Sequence, residues 1–541
     1  MFADALELKL KLTVDGKDFK VPGGNVKSFK VDLHQYGFAC RAGFVVSSET
    51  EKDKLLSAFT QQTLMEAELQ ISPHFKQEDA QIDPLTVKGI VTNKAILAEQ
   101  TIEETSIKGD LIIYRHYQVD FADPAQVLWR QHFPCDLKVD KTMKDVLDAH
   151  KGSKISLTYD WDVLDKKHSI IALPLGVEAN EAGFYDFVLW YVHTRNGVWT
   201  YNATDNSYSI TKSKSQDGEA SALDRRDIDR YEIRFPETIR YNVNLLNAYS
   251  ESPQTQAVSQ DKAVQGVRRD YIGRFPITSD FQDRQTLETA RLKARDHEIH
   301  LSFRGLPRKT FLVGKFIKLE GNLWSDKIFS KGKIYRVRSI AIEASSVNAE
   351  PTADHNMDFA AYNIEMQSQL ETKGESVVRL PPFRSPRFPM HVEGKVVSEQ
   401  GADDEVTYQI YQDANTSQDQ YKVKIPLWEN QQVVMAFEPN FFPGHFYFPA
   451  YKNARVLAAL DLHSARIERF LDWKSGTRLP ADTQGNQLLL GKKAKSQTSL
   501  KHTYVDNKPE LNIMRTSDSD TEMIKMGEGT LILQTKEESD S

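Results

Sequence analysis

Apolar and polar residues alternate along much of the chain. Leu6, Leu8, Leu10 and Leu12 are interleaved with Glu7, Lys9, Lys11 and Thr13, the period of a strand with one buried face. Pro22-Gly23-Gly24-Asn25 interrupts the pattern as a turn, and strand-like pieces resume at 26–33 and 38–46. The spacing of Leu55, Leu56 and Phe59 predicts a packing helix within 52–66, and strands return at 69–71, 87–91 and 111–120. Asp123-Pro124 predicts a helix start, because Asp caps and Pro suits the first turn, with Pro134 as the stop. A second short helix is expected over 143–150.

An aromatic run from Phe184 to Tyr191 leads into Asn196-Gly197, a hairpin signal, and two short strands are expected within 199–210 around Asp205-Asn206. The run reads as a core seam or subunit contact, in preference to a ligand-stacking surface. Polar stretches at 211–228 and 250–265 read as surface loops, the first as a candidate boundary. Between and beyond them, 234–243, 314–320 and 334–344 are strand-like and 285–295 is helical. Pro381, Pro382, Pro386 and Pro389 make 376–389 a linker, since they deny it ladder donors and helical continuity. Five strand-like pieces follow, at 390–397, 407–411, 421–425, 433–437 and 456–459, a spacing that suits a small OB-like barrel.

The last hundred residues differ in texture. An aromatic run, Phe441-Phe442-Pro443-Gly444-His445-Phe446-Tyr447-Phe448-Pro449, precedes an amphipathic piece over 455–473. Past Gly485-Asn486, short apolar snippets at 488–490, 511–514 and 530–533 alternate with polar turns. Strands so short and so far apart need neighbours to bury their apolar sides. Another copy of the same chain is the simplest supplier, which predicts an intertwined β-spike at the end of a symmetric oligomer. Its expected core is Leu488, Leu490, Leu511, Ile513, Ile524, Leu531 and Leu533. The acidic end, 536–541, reads as disordered.

A chain of 541 residues predicts roughly three to five domains. A net charge of −7 offers no bulk attraction to nucleic acid or to an anionic membrane. Cys40 and Cys135 are too few for a disulfide framework and read as small buried apolar side chains of a protein made in a reducing compartment. No signal peptide and no membrane-spanning run is written in the sequence.

Catalytic patterns are equally sparse. His297-Glu298-Ile299-His300 puts its histidines three apart, where a zinc helix needs four. Asp160-Trp161-Asp162 and Asp403-Asp404-Glu405 are dense carboxylates that read as solvated faces. Lys422, Lys424, Phe446 and Tyr447 offer a single-stranded nucleic-acid reading of the small barrel that the overall charge opposes. A carbohydrate-active alternative would use Asp160, Asp162 and Asp186 with an aromatic face around Trp190 and Trp199; a trimeric adhesin or receptor-binding fibre is another. No catalytic residue, cofactor or metal ligand is expected, and no enzyme activity.

Taken in order, several segments resemble the VgrG-type hub and spike of contractile injection systems, the counterpart of the fused tail hub and spike of contractile phages. Phe184-Tyr185-Asp186-Phe187 with Asn196-Gly197-Val198-Trp199-Thr200-Tyr201 is similar to a segment of the family's first barrel. Gly314 with Ile317 and Leu319, and Tyr335-Arg336-Val337 through Glu343-Ala344, resemble two further strands of the family. The chain departs from the family in Ala182-Gly183, in its connection over 448–473, and in a short spike with no extra domain after it.

The resemblance implies a mainly β, multidomain fold: two hub β-barrels with short helices, an OB-like barrel, and a C-terminal intertwined triple-stranded β-helix. The matching spans are 1–210 and 211–375 for the hub, 376–470 for the small barrel with its linker, and 471–541 for connector, spike and polar tail. It further implies a homotrimer whose partners are a hexameric inner-tube protein, a PAAR-type tip protein, baseplate components and cargo effectors. Such a protein is made in the bacterial cytoplasm and carried outward by the injection particle.

Overall fold

The computed structural model describes residues 2–48, 53–75, 82–105, 111–293, 295–321, 323–413, 418–437 and 445–537. Phe441-Phe442-Pro443-Gly444 and the tail residues 538–541 lie outside the described residues. The chain forms two compact units. The first comprises 1–133, 147–165 and 181–386, the second 134–146, 166–180 and 387–541.

In the first unit, pairing closes a ring of antiparallel strands. Its order is Ile334–Ser346, Val26–His34, Gly37–Ser47, Leu111–Ala122, Leu85–Thr105, Met65–Pro73, Phe2–Val14 and Phe359–Thr372, which returns to Ile334–Ser346. The alternation at the start of the chain does what its period requires: Leu6, Leu8, Leu10, Leu12 and Val14 are all buried.

A second set of strands shares the two longest members of that ring. Its order is Ala220–Leu223, Phe316–Leu319, Ile334–Ser346, Phe359–Thr372, Glu298–Phe303 and Ile228–Arg234. A bulge between Val337 and Ser339 marks the hand-over within Ile334–Ser346. Before it the strand pairs with Phe316–Leu319, and after it with Val26–His34. An extra residue bends a strand and re-aims its edge, so one strand serves both sets. Between Ala220–Leu223 and Ile228–Arg234 sits Trp324, whose Nε1 donates to Leu223 O at 3.1 Å. Residues 241–292 form a satellite with its own core of Val243, Leu245, Val258 and Phe281, three strands and the helix Thr278–Arg291.

Several sequence expectations shift. The helix within 52–66 is only Leu55–Phe59, and Met65 already begins a strand. The piece 234–243 is mostly irregular, because the strands end at Arg234 and restart at Asn242. Asn196-Gly197 does not join two strands. It links the helix Phe184–Thr194 to the strand Val198–Asn202, with Asn196 at φ 59°. The left-handed conformation that Asn tolerates ends a helix as readily as it turns a hairpin.

In the second unit, Met390–Val397, Arg455–Leu460, Ala465–Phe470, Gln431–Phe437 and Asp419–Ile425 close a five-stranded barrel. Its core includes Val423, Ile425, Met435, Val456 and Leu460, joined by Leu137, Ile170 and Ala172 from the antiparallel pair Cys135–Thr142 and Lys167–Pro174. Residues 407–411 are not the expected barrel strand, since only Tyr411–Gln412 pairs, at the margin. Ala465–Phe470 takes that place. The amphipathic piece 455–473 is two strands, folded at a turn in which Asp461 N–H donates to Ser464 O at 2.8 Å. Among the described residues no helix is long and apolar enough to cross a membrane.

Candidate functional site

From Gly485 onward the chain folds back and forth as five antiparallel strands: Gly485–Lys493, Ser496–Val505, Lys508–Ser517, Asp520–Gly527 and Thr530–Lys536. Two-residue loops join them. Asp506 and Asn507 both adopt positive φ, 50° and 62°, between the paired Val505 and Lys508, the backbone that matches hairpin twist. Asp518 at 52° and Gly529 at 67° serve the next two turns.

The register fixes which side chains share a face, because directly opposed residues in a ladder point the same way. Leu488 opposes Leu500, Leu500 opposes Ile513, Ile513 opposes Ile524, and Ile524 opposes Leu533. One apolar row therefore crosses all five strands. A second row beside it runs His502, Leu511, Met526 and Leu531, with Leu490 on the same face, two residues from Leu488. All seven residues expected to form a spike core thus lie on a single face. Leu500 and Met526 belong with them and were missed. Leu500 stands alone among Thr, Ser and Lys, so only the register reveals it.

The face is uncovered in the single chain. Leu490 is 45% exposed, Leu531 66% and Leu533 73%; Leu488, Leu511 and Ile513 are half-buried. The opposite face carries Gln487, Lys501, Asn512, Lys525 and Ile532 along one row and Leu489, Ser499, Met514, Met523 and Gln534 along the next. Lys525 there pairs with Glu510 at 2.8 Å, whereas Arg515 and Glu522 pair at 2.8 Å at one margin of the apolar face. The ladders run within one chain, so what a partner can supply is cover for the apolar face and pairing for the two outer strands, Gly485–Lys493 and Thr530–Lys536.

The chemical candidates are engaged in structural work. His297 is buried, with Nδ1 at 2.8 Å from Asp296 and Nε2 at 3.0 Å from the Tyr335 hydroxyl. Asp186 accepts from the N–H groups of Gly183 (3.1 Å) and Arg384 (3.2 Å), closing the start of a helix. Trp199 is buried and donates to Tyr36 O at 3.1 Å, which closes its ring to a ligand, and the half-buried Trp190 packs on Phe187. Lys422 is tied to Glu399 at 2.7 Å, which removes one of the cations a nucleic-acid groove would use. Cys40 is buried, and burial pushes its thiol up. Cys135 is exposed, contrary to expectation, because it begins its strand, at the end of a two-stranded pairing opposite Pro174. No cluster of three or more His, Cys, Asp or Glu poised for a metal occurs among the described residues.

No protein-family model matches the sequence, and no curated protein matches it. Solved structures do. A chain of the half-lidded Francisella PdpA–VgrG complex superposes with a TM-score of 0.75 over 98% of this chain and 88% of that one, at 11% identity. A chain of the lidless PdpA–VgrG complex gives 0.72 over 99% of both chains at 13% identity, and one of the lidded complex 0.72 over 99% of this chain and 80% of that one. At such identities the likeness concerns the fold, and over nearly its whole length this β-rich, multidomain chain shares the fold of a PdpA–VgrG complex chain.

Proposed function

We propose that the protein is the structural hub and spike of a contractile injection machine and acts as a homotrimer. The observation that carries this reading is the apolar face spanning the five terminal strands, left uncovered in one chain. Three such faces turned toward a common axis bury one another and leave outward the mixed faces that carry Gln487, Lys501, Asn512 and Lys525. Burying a Leu or Ile side chain contributes about 1.5–3 kcal/mol, so a row repeated in three copies supplies ample drive for assembly. The fold shared with PdpA–VgrG complex chains supports the same reading.

On this account the hub, residues 1–375, presents its closed ring and the second strand set that shares two of the ring's strands, six such elements per trimer, to a hexameric inner tube. The OB-like barrel forms a collar, and the strands past Gly485 form a rigid puncturing prism, capped by a PAAR-type tip protein. Baseplate components and cargo effectors complete the partners. The protein is made in the bacterial cytoplasm and reaches the exterior with the particle. Such work is mechanical and asks for no catalytic group, cofactor or metal.

The mass in solution by light scattering, for the full chain and for a truncation after Gly485, tests the proposal. A trimer that becomes monomeric on truncation is the expected result. A full-length monomer that also fails to trimerise on an isolated tube protein would refute it.

A further inference from the structure

Two histidines of the first unit face each other directly. Nε2 of His132, just past the helix Pro124–Trp129, lies 3.1 Å from Nδ1 of His150, the last residue of the helix Met143–His150. Both rings pack on the fully buried ring of Phe184, with centroids 5.4 and 5.5 Å from it. Backbone and indole bonds knit the same place. Phe184 N–H donates to His132 O at 2.8 Å, Lys151 N–H to Leu147 O at 2.8 Å, and Trp129 Nε1 to Lys151 O at 2.9 Å. Residues 132, 150 and 184 each stand within a few residues of a point where the chain passes from one compact unit to the other. A contact here bears on the segments that link the units.

A bond between two imidazoles has its own proton requirement, because one nitrogen must donate and the other accept. With both rings neutral, or with one proton added, an acceptor remains. With both protonated, N–H faces N–H and two positive charges stand at hydrogen-bond distance. Burial and the facing His150 hold the His132 imidazole below the ordinary histidine value. The pair in the folded chain therefore takes its second proton at a lower pH than the unfolded chain does. A histidine depressed in this way contributes stability that is fully present above about pH 6.5 and is lost as pH falls below it.

The charged groups of the surrounding elements are engaged elsewhere. On the helix of His150, the positions one turn earlier are the buried Val146 and Leu147, while Lys144, Asp145 and Asp148 lie on other sides. Asp148 is held by Lys151 at 2.8 Å and the Tyr159 hydroxyl at 3.0 Å, and Asp145 accepts from Thr142 N–H at 2.9 Å. Before and within the helix Phe184–Thr194, Glu181 pairs with Arg384 at 3.2 Å and Asp186 accepts from Gly183 and Arg384 N–H. Arg130 lies over the Tyr185 ring, 5.3 Å from its centroid.

We propose that the His132–His150 bond is an acid-sensitive latch. At neutral pH it holds the last turn of the helix Met143–His150 against the end of the helix Pro124–Trp129 and the start of the helix Phe184–Thr194. Double protonation releases that turn and loosens the adjoining linking segments. The inference rests on side chains of the first unit alone and does not depend on a trimer.

Hydrogen exchange of the full chain at pH 7.5 and pH 5.0, with labelling times scaled to the intrinsic exchange rate, tests it. Protection of the Lys151 and Phe184 amides should fall about tenfold at pH 5.0, relative to amides of the ring strand at 8–13. His132→Gln puts an amide where Nε2 stands, and His150→Asn does the same for Nδ1; neither amide titrates. In both variants protection at pH 5.0 should stay within about twofold of that at pH 7.5. If one variant is unfolded at pH 7.5, the other carries the comparison. Wild-type protection equal at the two pH values, or a loss in the variants as large as in the wild type, would overturn the proposal.

Discussion

Lys214 and Glu371 face each other in the interior of the first unit, the ammonium 2.9 Å from both carboxylate oxygens and each side chain only 4% exposed. The same carboxylate accepts from Arg336 Nη1 at 2.9 Å and Gln35 Nε2 at 3.2 Å. Lys214 also donates to Val377 O at 2.7 Å, and Arg336 to Ser215 O. One buried cluster thus pins the loop after Thr211 and the start of the proline-rich linker to the long strands. Farther along, Arg379 reaches Glu298 at 2.8 Å, so the linker lies strapped to the first unit as far as that residue.

Removing the shared carboxylate strands two cations. Glu371→Ala should therefore cost about 3–5 kcal/mol, and Lys214→Met, which leaves the Arg336 pair intact, clearly less. Urea unfolding midpoints check the order. Limited proteolysis should also cut within 376–386 faster in Glu371→Ala.

Asp123 is the fully buried cap of the helix Pro124–Trp129. Its oxygens accept from Gln126 N–H at 3.0 Å, the Tyr208 hydroxyl at 2.7 Å and Phe38 N–H at 3.2 Å. Burial outweighs these donors and holds its carboxyl above the ordinary carboxylate value. A raised native value means that the contribution is fully present below about pH 4 and is lost as pH rises through the native value. Asp123→Asn cannot titrate. Its deficit against the wild type should be larger at pH 4.5 than at pH 7, measured by denaturant midpoints. Asp123→Ala, which strands the donors as well, should cost more than Asp123→Asn at both pH values, about 2–3 kcal/mol at pH 7, with the same increase at pH 4.5.

Legibility followed burial on one side. Leu6 to Leu12 announced their strand because one face meets a core and the other meets water. The aromatic run 184–191 was legible as a packed seam but not as a helix. Phe184, Tyr185, Phe187, Val188, Leu189, Tyr191 and Val192 are all buried, which erases the polar face that would mark a 3.6-residue period. Ala465–Phe470 was hidden for the opposite reason: only Ile467 is buried among Arg466, Glu468 and Arg469. At the end of the chain the alternating core residues could be named, since period two survives even in a short snippet. The ladder joining them could not, because residues such as Lys501 and Asn512, which face each other in it, are depleted in strands. The recurring turns at Asp506-Asn507, Asp518-Ser519 and Glu528-Gly529 were the available signal.

Glycines separate two kinds of constraint. A Cβ at Gly89 would lie 2.0 Å from Ala122 O, backbone that two ladders hold in place. Gly89→Ala should cost at least about 2 kcal/mol. At Gly152 nothing lies within 4 Å, but φ is +76°. Gly152→Ala should cost about 1 kcal/mol, from backbone conformation alone. Thermal midpoints of the two variants, compared with the wild type, give the ranking.

Ile513 stands at the centre of the apolar row, with Leu500 opposite on one side and Ile524 on the other. In a single chain an aspartate there is solvated at little cost, since the face is open to water. In the proposed trimer the same carboxylate would be buried three times against apolar neighbours, and an unpaired buried charge is not tolerated. Ile513→Asp should therefore leave the circular dichroism of the hub and barrel unchanged and convert the trimer to monomer in light scattering. Lys501→Asp, on the adjacent strand next to Leu500 and on the opposite face, changes the local charge by more and should leave the trimer intact. The contrast between these two neighbours separates a buried apolar axis from a general need for an undisturbed C-terminal sheet, because both substitutions place a carboxylate on the same strand pair and only one places it where three copies must meet.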